Sequence, residues 1–254
     1  VNPSVFINPL KNSDYKKYNF FCSTNLVFFL LRFILSKNRE NKKFNLTKYL
    51  IYAALGTICD VMPLRGINRY LSIEATNSFN LNEDNAFSYI LKFKKINRKL
   101  TIDDLGYLIG PVLNSGGRLG KSKLATRLLI SDNKQEIEKI STELLYTNEK
   151  RKIIEDRTLK QIEKKIDLKK NYIFHVEDNI SEGILGIIAA RLAEKYNKPV
   201  ILATHSGNLI KGSARSIEEI DIGKILLSLK QKNILTKGGG HAMAGGFSLL
   251  KKDI

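Results

Sequence analysis

The glycine-rich segment near the C-terminus is the part of the sequence best suited to binding an anion. Gly238, Gly239 and Gly240 stand directly before His241. Glycine has no Cβ, so consecutive backbone N–H groups can approach an anion and converge on it. The imidazole of His241 adds a donor, and a helical turn after it would add the positive end of a helix dipole. A flexible loop or a tight turn is the alternative use of such a triplet.

A second group of anion-binding side chains precedes this segment. Ser213, Arg215 and Ser216 stand at the end of an apolar run that predicts a strand. Two hydroxyls and a guanidinium are suited to phosphate, because the planar guanidinium can donate two parallel hydrogen bonds. Together with the glycine triplet, this group favours phosphate binding over a plain turn.

A third candidate lies in the middle of the chain. Pro111 and several glycines surround Asn114 and Arg118, and this composition predicts a loop between two helices. A surface arginine in such a loop is usually only solvated. One held between helices beside a basic cleft would instead contact phosphate.

The candidate metal ligand is a single carboxylate. Asp60 stands at a predicted helix end inside an apolar run, where a rigid and partly desolvated carboxylate would suit Mn²⁺ or Mg²⁺. A capping or turn role is the alternative. One aspartate does not make a metal site, and the three histidines His175, His205 and His241 form no ligand pair. The spacing of these residues leaves the metal undecided.

Composition limits the possible functions. The 254 residues are 43% hydrophobic and 26% charged, which excludes a disordered chain. The formal charge of +17 favours a polyanionic partner, although an AT-rich genome would also enrich lysine. The two cysteines, Cys22 and Cys59, cannot form a disulfide framework, so we expect a reducing compartment, the cytoplasm.

Helical spacing dominates the first half of the chain. The apolar run 26–35 is too short to span a membrane and predicts a buried helix. Asn45 is the expected N-cap of a helix over 46–57, and residues 101–104 begin another. A charged helix over 133–166 would be about 50 Å long, which suggests a connector between domains.

Strands then alternate with helices, which predicts an α/β domain. The expected strands are 172–176, 199–203, 208–214 and 246–250, and the expected helices are 183–196 and 222–229. The chain starts at Val1 without an initiator methionine, in what reads as the end of a strand, so we expect a fragment.

Taken in order, six segments resemble the RecJ single-strand DNA exonucleases of the DHH phosphoesterase superfamily. The segments are Asn8-Pro9, GTICDVMPL (56–64) followed by Asn68-Arg69, IGPVLNSGGRLG (109–120), SEGILGIIAARLAEKYNKPVIL (181–202), KGSARSI (211–217) and GGGHAMAGGFSL (238–249). The resemblance extends over almost the whole chain.

The resemblance implies a two-domain α/β fold. Residues 1–132 would be the end of a DHH-type catalytic domain, 133–168 a long connecting helix, and 169–254 a small DHH-associated domain that binds phosphates and nucleic acid. The defining Asp-His-His motif, the earlier aspartates and the oligonucleotide-binding β-domain of full-length members are absent. Ile180 and Ser181 stand where the family commonly has Trp-His.

The resemblance also implies roles for individual residues. Asp60 would be a metal ligand and, with His241, catalytic. Substrate phosphates would be contacted by a larger set, namely Asn114, Arg118, Ser213, Arg215, Ser216, Gly238, Gly239, Gly240 and His241. The implied cofactors are two Mn²⁺ or Mg²⁺ ions in the full-length protein.

The function implied is metal-dependent 5′-to-3′ hydrolysis of single-stranded DNA, in DNA repair and recombination. With one metal ligand of its own, the 254-residue chain is expected to be inactive. The partner would be single-stranded DNA, with no membrane involved. Two alternatives stay open: a small-nucleotide phosphoesterase of the same superfamily, and a non-catalytic nucleic-acid-binding module.

Overall fold

A computed structural model describes residues 6–9, 11, 18–37 and 45–253. The strand end expected at Val1 lies outside the described residues. The chain forms two compact units, and each is described by itself. The first contains residues 1–113 and 128–142, and the second contains residues 114–127 and 143–254.

The first unit is helical in its described part, as the spacing predicts. Its helices are α1 (Ser23–Lys37), α2 (Leu50–Cys59), α3 (Gly66–Ser78) and α4 (Ala86–Phe93), with a 3₁₀ turn at Leu46–Tyr49. The expected cap is present, because the Asn45 side chain accepts a hydrogen bond from the Thr47 N–H at 3.0 Å. The core of this unit includes Ala53, Ala54 and Phe87, which are all buried.

The prediction that residues 26–35 form a buried helix is half wrong. Helix α1 covers the run, but only Asn25 and Phe28 are buried within it. Val27, Phe33 and Ile34 are each about half exposed or more, at 55%, 59% and 48%. Apolar composition marks a face that can be buried, whereas burial itself depends on which elements pack against it.

The helix start at residues 101–104 is confirmed by its capping contacts. The Asp104 N–H donates to the Thr101 hydroxyl at 3.2 Å, and the Thr101 N–H donates to an Asp104 carboxylate oxygen at 2.9 Å. These reciprocal bonds form a capping box. Arg98 donates two further hydrogen bonds to the same carboxylate, at 2.6 and 2.9 Å.

The predicted loop around Asn114 and Arg118 is wrong. A π-helical segment, Asp104–Ile109, runs directly into helix α5 (Gly110–Arg118). Pro111 is the second residue of α5, directly after the π-helical segment, so the proline does not end the helix here. The small residues of α5 serve close packing: a Cβ on Gly116 would lie 2.8 Å from the Lys121 carbonyl oxygen. The composition therefore reflects tight contact and not a loop.

The long charged helix is confirmed as α7 (Lys134–Glu163), preceded by α6 (Lys123–Ile130). Residues 134–142 of α7 belong to the first unit and 143–163 to the second. In the second unit, α7 buries an ion pair in which Arg151 Nη1 donates to Glu155 Oε1 at 2.7 Å. Among the described residues, no helix combines the length and the apolar character needed to cross a membrane.

The second unit contains a five-stranded sheet, which confirms the α/β prediction. Its strands are β1 (Ile173–Val176), β2 (Val200–Ser206), β3 (Leu209–Arg215), β4 (Lys237–His241) and β5 (Ala244–Leu250), in the order β1-β2-β3-β5-β4. β1 and β2 are parallel, and the other neighbours are antiparallel. Helix α8 (Glu182–Tyr196) joins β1 to β2, and α9 (Ile222–Gln231) joins β3 to β4.

Each face of the sheet carries its own hydrophobic cluster. Helix α8 packs on β2 and β3, where Ile188 and Leu192 meet Val200 and Leu202. Helix α9 packs on β4 and β5 on the opposite face, where Leu226 meets Phe247. The two helices thus cover different strands on different faces.

The capping box gives a prediction for stability. Contact with Arg98 and Thr101 holds the pKa of the Asp104 carboxyl below its usual range. Asp104→Asn should lower the free energy of unfolding at pH 7 by roughly 1–2 kcal/mol, the range for losing a helix cap. Because the folded-state pKa is depressed, this contribution is present above about pH 4 and is lost as pH falls further.

Urea unfolding of both proteins from pH 7 to pH 3 measures this effect. The control is Asp103→Asn, which removes an exposed carboxylate from the same turn and should change stability little. A deficit in Asp104→Asn that persists unchanged at pH 3 would contradict the assignment.

Candidate nucleic-acid interface

Strand pairing brings several of the predicted phosphate-binding residues onto one face of the sheet. Residues directly opposite in antiparallel strands share a face, and so do residues two apart along a strand. Arg215 pairs with Ala244, and Ala244 pairs with His241. This row is called the arginine row. Ser213, Gly246 and Gly239 form the next row on the same face and are called the glycine row.

A third row completes this face. Lys211 pairs with Ser248, which pairs with Lys237. This is called the lysine row. The glycine row therefore lies between two rows that carry cationic side chains, and its only side chain is that of Ser213. A groove of about 350 Å³ opens beside the lysine row, and its lining residues are Glu182, Leu185, Lys211, Gly212, Ser213, Lys237, Gly246, Phe247 and Ser248.

The glycines fall into two classes by face. A Cβ on Gly240 would lie 2.2 Å from the Ala244 carbonyl oxygen, and one on Gly245 would lie 2.3 Å from Leu226. Packing explains these two. A Cβ on Gly239 would meet no atom within 4 Å, and one on Gly246 would meet only a carbonyl oxygen at 3.8 Å. Packing does not require glycine at these two positions, where glycine keeps the floor of the face open.

The glycine triplet forms neither a flexible loop nor a tight turn. Gly238, Gly239 and Gly240 belong to strand β4, and Ala242 and Met243 form a turn into β5 in place of the expected helical turn. His241 ends the strand with an exposed side chain, and its Nδ1 accepts a hydrogen bond from the Met243 N–H at 3.4 Å. Ladder pairing stabilises the segment, which the glycine content alone does not indicate.

Arg215 is half buried beneath helix α8. Its Nη1 donates to the Ala214 carbonyl oxygen at 2.9 Å and to the Ser213 hydroxyl at 3.3 Å. Gly186 of α8 makes room for it, since a Cβ there would lie 2.9 Å from Arg215 Nη2. Burial lowers the pKa of the guanidinium, which still stays protonated. No described carboxylate pairs with Arg215, so its charge is available to an anion.

Arg118 joins the end of α5 to the start of α8. Its Nη1 donates to the Gly183 carbonyl oxygen at 3.0 Å, and the Ser181 hydroxyl donates to the Arg118 carbonyl oxygen at 2.9 Å. Burial lowers the pKa of this guanidinium, and the charges of Arg151 and Arg215 lower it further. Asn114 is exposed one helical turn earlier, on the same side of α5.

Three predicted binding residues in or beside β3 and β4 do not lie on this face of the sheet. Ser216 follows the end of β3 and is buried, with its hydroxyl donating to the Ile220 carbonyl oxygen at 2.6 Å. Gly238 and Gly240 alternate with Gly239 and so lie on the face that packs against α9. Their roles as phosphate contacts stay predictions, and any such contact would use backbone atoms.

Sequence reasoning missed four residues of this face: Lys211, Lys237, Gly246 and Ser248. A period of two in the sequence was the available signal. Alternate residues of 211–215 read Lys-Ser-Arg, and alternate residues of 237–241 read Lys-Gly-His. Reading the glycine triplet as a loop hid that alternation.

Asp60 lies in the first unit, at the end of α2. It is exposed, not partly desolvated as expected, and its N–H donates to the Gly56 carbonyl oxygen at 3.0 Å. Val61 follows with φ of +53°, a costly conformation for a β-branched residue. A buried network supports this turn, because Asn25 Nδ2 donates to Thr57 at 2.9 Å and to Asn68 at 2.9 Å.

A divalent metal does not fit the described residues alone. Nowhere in the described ranges do three His, Cys, Asp or Glu side chains converge. The exposed carboxylate of Asp60 offers at most one oxygen ligand, whereas Mn²⁺ and Mg²⁺ need several.

Comparison with known proteins agrees with this architecture. Residues 169–253 match the DHHA1 domain family. The single-stranded-DNA-specific exonuclease RecJ of Haemophilus influenzae is 32% identical over 243 residues, which cover 88% of this chain and 42% of that protein. The chain belongs to the RecJ family. RecJ of Escherichia coli is 33% identical over 218 residues, covering 81% of this chain and 38% of that protein. The chain thus spans about two fifths of these two relatives.

Solved RecJ structures share the fold. RecJ of Thermus thermophilus in complex with Mn²⁺ superposes with a TM-score of 0.69 at 30% identity, covering 81% of this chain and 31% of that one. An exonuclease RecJ bound to manganese gives the same TM-score at 28% identity, covering 81% of this chain and 51% of that one. The bound metals belong to those proteins.

The two glycine classes give a matched pair of variants. Gly240→Ala should lower the free energy of unfolding by roughly 1–3 kcal/mol, the usual cost of overpacking. Gly239→Ala should stay within about 0.5 kcal/mol of the parent, as for other surface substitutions. Urea unfolding followed by circular dichroism measures both. Equal losses in the two variants would show that packing also requires Gly239.

Proposed function

We propose that this chain binds the phosphate backbone of single-stranded DNA along the face formed by the arginine, glycine and lysine rows. It does so as part of a metal-dependent exonuclease that degrades single-stranded DNA from 5′ to 3′ in the cytoplasm, during DNA repair and recombination. The similarity to RecJ proteins over most of the chain supports this assignment.

The observation that carries the proposal is the open glycine row between two rows that carry cationic side chains. Gly239 and Gly246 lack side chains where packing does not require glycine, and Arg215, whose guanidinium has no described carboxylate partner, belongs to the adjacent arginine row. Such a surface admits a backbone and offers no set of groups that reads base edges. Contacts to phosphate position a strand without reading its sequence, so we expect weak sequence preference.

The remaining predicted residues take roles consistent with this surface. Arg118 and Asn114 would contact the strand from the end of α5, and His241 would contact a phosphate from the end of β4. Asp60 would supply one carboxylate ligand to Mn²⁺ or Mg²⁺, in a site completed by residues beyond those described. The overall charge of +17 would raise the rate of encounter with the polyanion.

Arg215 is the residue that tests binding. Arg215→Ala should weaken binding to single-stranded DNA about 10- to 100-fold, which corresponds to the roughly 1.5–3 kcal/mol typical of hydrogen bonds to a charged group. The slope of log K against log salt should fall by about 0.7, the value for one phosphate contact on a single strand. Arg215→Lys should recover the slope but not the full affinity, because lysine lacks the planar fork.

Fluorescence anisotropy with a labelled oligothymidylate at several salt concentrations measures these changes. The matched control is Lys224→Ala, which removes a highly exposed lysine from α9, the helix on the opposite face. An Arg215→Ala protein with the affinity and salt slope of the control would refute the proposed interface. Affinity independent of oligonucleotide length would instead favour a small-nucleotide phosphoesterase.

The hydrolytic part of the proposal has its own test. A metal site needs several convergent ligands, and losing most of them abolishes affinity for the metal. The 254-residue chain should therefore bind a 5′-labelled oligonucleotide but release no nucleotides in the presence of Mn²⁺. Mn²⁺-dependent release that Asp60→Ala abolishes would show that this chain completes a metal site by itself.

A further inference from the structure

The lysine row is a cationic surface that neither the sequence motifs nor the comparisons assign to a ligand. Lys237 is exposed on the edge strand β4, and within the described part of the chain no carboxylate pairs with it. Ser248 beside it is only 9% exposed, lines the groove, and makes no side-chain hydrogen bond with a described residue. A cation and an unpaired hydroxyl next to each other in a groove are groups that an anion would satisfy.

Glu182 of α8 balances the charge of Lys211, at the other end of this row. Its carboxylate accepts hydrogen bonds from Lys211 Nζ at 2.8 and 3.1 Å and from the Ser206 hydroxyl at 2.9 Å. Contact with Lys211 holds the pKa of this carboxyl below its usual range, so it is ionised at neutral pH. The charge of Lys211 is therefore balanced, and Lys237 is the cation of the row that stays available.

Lys237 and Arg215 lie at opposite corners of this face, and hydrogen bonds to the Ala214 carbonyl oxygen and the Ser213 hydroxyl hold the Arg215 guanidinium beside β3. Lys211 and Arg215 are four residues apart on β3, and Lys237 lies two strands away from β3. At about 3.4 Å per residue and about 4.8 Å per strand, the Cα atoms of Arg215 and Lys237 are roughly 17 Å apart on the diagonal. The glycine row lies between them.

We propose that Lys237 and Ser248 form a second phosphate position, which binds a different phosphate of the strand that Arg215 holds. The backbone of the nucleic acid crosses the glycine row between these two positions. The inference rests on the proposed function and deepens it. The ligand is a single-stranded oligonucleotide long enough to reach both phosphate positions, not a mononucleotide or dinucleotide. Glu182 weakens this second position by neutralising Lys211.

Two variants of opposite effect test this proposal. Lys237→Ala should weaken binding of a twelve-nucleotide oligothymidylate about three- to tenfold and reduce its salt slope by about 0.7. Glu182→Gln should strengthen binding of the same oligonucleotide, because it frees Lys211 and removes a negative charge from the groove. Neither substitution should change the affinity for a two-nucleotide oligothymidylate, which cannot span the two positions. A gain of affinity in Glu182→Gln cannot result from misfolding.

Anisotropy with the twelve-mer and calorimetric titration with the two-mer measure these affinities, with Lys224→Ala as the lysine control. An unchanged twelve-mer affinity in Lys237→Ala, or equal losses for both lengths, would overturn the second position. Arg215→Ala separates this failure from failure of the proposed function. If Arg215→Ala weakens both lengths while Lys237→Ala weakens neither, the interface stands and only the second position is lost. If Arg215→Ala weakens neither length, both proposals are lost.

Discussion

The register between β3, β5 and β4 is the constraint on which the candidate interface depends. A shift of one residue would transfer every side chain of a strand to the other face. In the observed register, Arg215 and His241 share a row, and Phe247 packs opposite Gly212 on the α9 face. A Cβ on Gly212 would lie 2.1 Å from the Phe247 ring, so this contact strongly disfavours a slipped register. Packing on the α9 face thus fixes which side chains the strands present on the opposite, open face.

Helix α8 contributes to the interface through its glycines. A Cβ on Gly183 would lie 2.4 Å from the Arg118 carbonyl oxygen, and a Cβ on Gly186 would press on the end of the Arg215 side chain. The first position allows α5 to approach the start of α8 closely, and the second makes room for a half-buried guanidinium. Both positions lie inside a helix, where glycine costs about 1 kcal/mol relative to alanine. We infer that close approach to the two arginines outweighs that cost.

In the first unit, a buried hydrogen-bond network supports the turn that contains Asp60. Asn25, Thr57 and Asn68 are fully buried, Asn25 is hydrogen-bonded to each of the other two, and Asn68 Nδ2 also donates to the Pro63 carbonyl oxygen at 3.1 Å. A buried polar network is stable only when its members are satisfied, and it then fixes the backbone around it. Here it supports the turn in which Val61 adopts a positive φ directly after Asp60.

Local sequence patterns predicted every α-helix and strand of the second unit from α7 onward except β4, in the right order along the chain. Period-two and period-3.6 spacing is local, so β1, β2, β3 and β5 and the helices α7, α8 and α9 were predictable to within a few residues. The conformation of the glycine-rich segments depends instead on tertiary contacts. A glycine in the sequence does not indicate why the side chain is absent. At Gly240, packing leaves no room for a Cβ, whereas at Gly239 the space beside the backbone is open. Segment 110–118 is a helix because small residues allow close packing, and 237–241 is a strand because β5 pairs with it. Ladder pairing and packing of this kind join residues that are distant in sequence, so the local pattern does not encode them.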